Sequence, residues 1–136
     1  MSESALHTDL VRSLVAWVTP RIGTDCRSAI FVDLPEGTAG DRPPSIDGFF
    51  PDLYCADGDG SPMFLGEAKT ARDLESHRSR EQLAGYLRFL AVRQRGALVL
   101  AVPWRVVPAA RSLIRALQRL NAAGTVMTHF LEKLPG

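Results

Sequence analysis

Residues 49–70, FFPDLYCADGDGSPMFLGEAKT, constrain the fold more than any other stretch of the chain. Two apolar, β-prone runs, FFPDLYCA and PMFLGEAK, flank DGDGS, whose Gly and Asp residues favour a tight reversal. The pattern predicts an antiparallel strand pair. With the tip centred between Asp59 and Gly60, Cys55 faces Phe64, Leu53 faces Gly66 and Asp52 faces Glu67. Directly opposed residues hold their Cβ atoms about 5 Å apart. Two carboxylates then stand side by side on one face. Strand alternation adds Lys69 to that face and turns Ala68 to the other. A slip of one residue would separate the carboxylates onto opposite faces.

Charged residues inside apolar strands need a reason, because they are rarely buried unpaired. Two carboxylates so close repel, at a cost on the order of several kcal/mol in a low dielectric, or one of them takes up a proton. A divalent cation between them removes the cost. Mg2+ accepts hard oxygen ligands at about 2.1 Å, commonly one or two carboxylates completed by water and phosphate oxygens. Asp52 and Glu67 are therefore candidate metal ligands, with the Ala68 carbonyl as a third oxygen donor. Lys69 would stand beside them, placed to position an attacking water or to stabilise charge on a phosphate. The competing reading is a solvated hairpin face held by ordinary salt bridges.

The rest of the chain supplies the frame. Leu6, Leu10, Leu14, Trp17 and Val18 keep helical spacing after a Ser2 cap, and Thr19-Pro20 stops the run. SAIFVDL, residues 28–34, reads as a strand, and the Pro- and Gly-rich stretch from Pro35 to Gly48 reads as a loop. A helix is expected from about Leu74 to Gln94, with Leu83, Leu87 and Leu90 inward and Gly96 breaking it. ALVLAVPW has the continuous apolarity of a strand buried on both faces. Pro108 opens a last helix with an expected core stripe of Leu113, Leu117 and Leu120, a stripe of Arg111, Arg115 and Arg119 that reads as a solvated face, with a phosphate-tracking face as the alternative, and a C-cap at Gly124. TVMTHFLEKL is a candidate final strand. The coarse order is α-β-β-β-α-β-α, followed by that candidate strand, an α/β pattern.

The chain has 136 residues, which suits a single domain over 1–136. The formal net charge of +1 gives no global field toward nucleic acid or membrane, so any such contact must be local. The start, MSESALHTDL, lacks the basic segment and apolar core of a signal peptide, and no apolar run reaches the length of a membrane span. A cytoplasmic protein with no membrane partner is the expectation. Cys26 and Cys55 have no metal or redox spacing and read as free thiols. Asp57 and Asp59 read as turn residues, because Pro62 and Ala68 stand where a calcium loop needs Gly and Glu. His7, His77 and His129 show no ligand spacing and read as surface or edge residues. Trp17 and Trp104 read as core or interface anchors.

Pro51-Asp52 followed by Glu67-Ala68-Lys69 across a hairpin resembles the PD-(D/E)XK nuclease superfamily. EQLAGY, with Gln82 and Tyr86 one helical turn apart, is similar to the Q-x-x-x-Y element of RecB-type nucleases, and Arg78 precedes them on the same stripe. The resemblance covers roughly residues 3 to 102. It implies an α/β fold with a restriction-endonuclease-like α-β-β-β-α-β core, a mixed central sheet flanked by helices, and a DNA nuclease dependent on Mg2+ or Mn2+. Asp52, Glu67 and Ala68 would hold the metal, Lys69 would assist the attacking water, and Gln82, Tyr86 and Arg78 would contact substrate phosphates. Family members often add an acid from the first helix, here Glu3 or Asp9. Two other expectations remain open: a nuclease-fold module that binds nucleic acid or a partner protein without cutting, and a subunit of a restriction or defence assembly. An exposed apolar patch around Ile114 would favour a partner subunit or a homodimer.

Overall fold

The structure, a computed structural model, describes residues 3–22, 29–37 and 42–135. Helix α1 spans Glu3–Val18 and passes into a 3-10 turn at Thr19–Arg21, where Pro20 removes the donor a further α turn would need. Strands β1 (Ala29–Val32), β2 (Leu53–Ala56) and β3 (Pro62–Ala68) follow. After them come the short helix α2 (Ala71–Leu74), helix α3 (His77–Arg93), strand β4 (Ala97–Pro103), helix α4 (Val107–Leu120) and strand β5 (Met127–Lys133). The strands form one sheet in the order β1-β2-β3-β4-β5, antiparallel from β1 to β3 and parallel from β3 to β5. The chain is thus α/β, with a five-stranded mixed sheet flanked by helices. No helix among the described residues is long and apolar enough to cross a membrane.

Each face of the sheet has its own apolar cluster. On one, Leu10, Val11, Leu14 and Val18 of α1 pack on Leu53, Val99 and Ala101. On the other, Leu83, Leu87 and Leu90 of α3 and Ile114 and Leu117 of α4 pack on Leu65, Leu98 and Leu100. Strand β4 is buried on both faces, as its unbroken apolarity requires. Gly66 lets α1 approach β3: a Cβ there would meet Leu53 Cβ at 3.0 Å and Leu14 Cδ1 at 3.2 Å. Trp17 locks the same helix down, edge-on to Phe64 with centroids 5.5 Å apart and against the His129 ring at 4.8 Å.

The hairpin has the register that its tip implies, with Leu53 opposite Gly66 and Cys55 opposite Phe64. The pairing shifts by one beyond Cys55, where Ala56 meets Pro62. The tip is turn chemistry: Asp57 Oδ1 accepts from the N–H groups of Asp59 and Ser61 at 3.0 and 3.2 Å, and Arg95 pairs with both aspartates.

Several boundaries differ from the sequence expectation. β2 begins at Leu53 and not at Phe49, because Pro51 has no N–H for a ladder and Phe49 bridges Ile46 instead. The helix expected from about Leu74 begins at His77, and a separate short helix, α2, ends at Leu74. Thr70 Oγ1 caps α2 through the Asp73 N–H, and Ser76 Oγ caps α3 through the Ser79 N–H at 3.1 Å, so the chain restarts between them. On α4 the inward stripe is Ala110, Ile114 and Leu117, whereas Leu120 is 80% exposed. Ile114 is buried and so forms no exposed apolar patch. Asn121, not Gly124, closes α4, and the chain turns at Ala122 with φ 51°. The Ser2 cap and Cys26 lie outside the described residues.

Candidate active site

Asp52 ends the segment entering β2, and Glu67 and Lys69 lie at the carboxyl end of β3. The parallel half of the sheet fixes this edge: the Lys69 N–H donates to the Ala101 carbonyl of β4 at 3.0 Å. In α/β sheets, the carboxyl edge of parallel strands is where ligands are bound. Asp52, Glu67 and Lys69 are 6%, 3% and 7% exposed, so the solvated-face reading does not describe them.

The two carboxylates extend the hairpin ladder with side chains. Asp52 Oδ2 accepts from the Ala68 N–H at 2.8 Å, and Glu67 Oε2 accepts from the Asp52 N–H at 3.3 Å. Each acid is thereby fixed to the opposite strand. Lys69 Nζ lies 3.4 Å from Glu67 Oε1 and donates to Gln82 Oε1 at 2.5 Å. Gln82 Nε2 in turn donates to the Tyr86 hydroxyl at 3.0 Å. The i, i+4 spacing on α3 makes that last bond possible. A chain of polar contacts therefore runs from Tyr86 through Gln82 and Lys69 to Glu67.

The electrostatics are strained toward protonation. Burial pushes the Glu67 carboxyl well above its ordinary range, the Asp52 charge pushes it further, and Lys69 only partly opposes them. The Tyr86 hydroxyl is also raised, first by burial and then by Glu67. Tyr86 is fully buried, so its hydroxyl reaches the site through Gln82 and not through solvent. Arg78 is exposed at the mouth, one turn before Gln82, with its guanidinium 5.1 Å from the Phe49 ring centroid.

His7 is the residue that sequence reasoning missed. It is no surface bystander: its Nε2 lies 3.4 Å from Asp52 Oδ2. That contact raises the imidazole pKa above 6.5, against the opposing effect of burial. The signal was present, since His7 continues the inward stripe of Val11, Leu14 and Val18 by one turn. Asp9, two residues on and about 200° round the helix, does not share that stripe and acts on Arg12 instead. The Glu3 side chain lies outside the described residues. His77 pairs with Glu81 on the exposed side of α3.

Among the described residues, no group of three or more His, Cys, Asp or Glu converges as a ready-made metal cluster. The donors at the site are the carboxylate of Asp52 just before β2, the carboxylate of Glu67 on β3, and the carbonyl of Ala68 between Glu67 and Lys69. Their chemistry fits a hard divalent cation of the Mg2+ or Mn2+ kind, which takes few protein oxygens. A cation there would offset the burial and the neighbouring Asp52 charge that raise the Glu67 carboxyl. No protein-family model, no curated protein and no solved structure matches the chain.

Proposed function

We propose that this chain is a metal-dependent nuclease of the PD-(D/E)XK type, hydrolysing phosphodiester bonds of DNA, with α1 through β4 as a restriction-endonuclease-like core. One observation carries the reading: Asp52, Glu67 and Lys69, all nearly buried, meet at the carboxyl edge of the sheet with Gln82 and Tyr86 behind them. Mg2+ or Mn2+, held by Asp52, Glu67 and the Ala68 carbonyl, would supply Lewis-acid stabilisation of charge on the phosphate. Lys69 directs its N–H groups at the attacking water and the phosphate oxygens. Gln82 holds Lys69, and Tyr86 holds Gln82, so both are positioning residues. His7 keeps the Asp52 carboxylate oriented from the α1 side. Arg78, at the rim, binds a flanking phosphate.

Incubation with single-stranded, duplex and branched DNA in Mn2+, beside a Lys69→Ala variant, tests the reading. Wild type should cut at least one substrate, and Lys69→Ala should cut it slower by about two to four orders of magnitude. Equal rates in the two proteins would dismiss the mechanism.

One observation favours a second reading, a module that binds nucleic acid or a partner protein without cutting. Lys69 is already engaged by Gln82 and Glu67, and the cluster is nearly closed to solvent. A binding module has no need of a cation at Asp52 and Glu67, so calorimetry with Mg2+ and Mn2+ separates the two. Ile114 is buried, so it offers no patch in favour of a homodimer or partner subunit.

A further inference from the structure

A cavity of about 280 Å³ opens at the same edge of the sheet, lined by Leu6, Pro103, Trp104, Arg105, Lys133 and Leu134. It shares no lining residue with the site but lies along the same sheet edge. Leu6 precedes His7 on α1, and Pro103 pairs with Lys133 two residues beyond Ala101, whose carbonyl binds the Lys69 N–H. At the rise of an extended strand, that places the groove roughly 7 Å further along β4.

Its chemistry is specific. Trp104 is 41% exposed, which sets aside the core half of its reading as a core or interface anchor. The Arg105 guanidinium lies 5.3 Å from its ring centroid. Arg105 and Lys133 supply two cations, and no lining residue carries negative charge. A nucleotide matches this mixture, with its base on the indole among the apolar Leu and Pro side chains and its phosphates on the two cations. In a duplex the base faces are already stacked, so only an unpaired nucleotide fits.

We infer that this groove seats an unpaired nucleotide beside the scissile phosphate, its base stacked on Trp104 and its phosphates held by Arg105 and Lys133. The substrate class is then single-stranded DNA or a frayed strand end, a conclusion that rests on the nuclease reading for its direction.

The test is fluorescence anisotropy of a labelled short oligothymidylate and of a labelled blunt duplex, in EDTA so that binding is read without cleavage. Wild type, Trp104→Leu and Trp104→Phe are compared after their melting curves establish that all three fold. Trp104→Leu should weaken single-strand binding on the order of tenfold, Trp104→Phe should keep most of it, and weak duplex binding should not change. The inference is overturned if wild type does not hold the single strand, if Trp104→Leu binds it as well as wild type, or if single strand and duplex lose affinity equally. Self-association abolished by Trp104→Leu, with no effect on the oligonucleotide, would mean the groove seats a second copy and would also overturn it. Cleavage in Mn2+ is scored separately. Single-strand binding that depends on Trp104, with no DNA cut, would sink the nuclease reading and leave the groove. Cleavage with binding indifferent to Trp104 would do the reverse.

Discussion

Glu67 sits among groups that disfavour its charge, and that has consequences for stability. Its carboxyl, raised by burial and by Asp52, keeps a proton in the folded chain at pH values where the unfolded chain has lost it. The native state then binds more protons than the unfolded state, so stability falls as pH rises above the ordinary value of 4.5. In metal-free protein, Glu67→Gln should flatten this slope and raise the melting temperature at pH 8, as removing a strained functional charge commonly does. An unchanged slope would place the pH dependence elsewhere. His7 offers a direct reading of the same site. An NMR titration should find its imidazole above 6.5 in wild type, and Asp52→Asn should bring it back toward that value, because the Asp52 contact is the largest cause of the shift. Among site residues, Asp52, Glu67 and Lys69 were legible because hairpin arithmetic is local and its register has only two parities. His7 was not, because its partner lies 45 positions away and only the helix phase hinted at its direction.

At the scale of elements, α1 and β3 depend on the missing side chain at Gly66. A larger residue there collides with Leu53 and Leu14, both fully buried. Gly66→Val should cost about 1–3 kcal/mol of stability by denaturant unfolding, the usual penalty for overpacking, and it should lift the helix that carries His7. A variant as stable as wild type would show that the approach of α1 is looser than the contacts indicate. Element types were readable from periodicity, and most edges fell within a few residues. The misses have physical causes. Thr70 and Ser76 are both good caps, and two caps six residues apart make two helices where apolar spacing alone suggests one. On α4, a stripe drawn through leucines passed over Ala110 and Ile114, the residues that fit the space above β4 and β5.

For the whole molecule, the parallel half of the sheet was the least legible part. Nothing local pairs β3 with β4 or β4 with β5; the helices between them must first fold back across the sheet. Yet that half creates the carboxyl edge where Lys69, Pro103 and Lys133 align, and so both the site and the groove beside it. A net charge of +1 concentrates recognition in that edge and not in a global field. The central claim is that Asp52 and Glu67 share a divalent cation. Isothermal titration of Mn2+ into wild type, Asp52→Ala and Glu67→Gln at pH 7.5 tests it most directly. The expected result is a site in wild type that is lost or greatly weakened in both variants. Absence of binding to wild type, or equal binding by all three proteins, would contradict it.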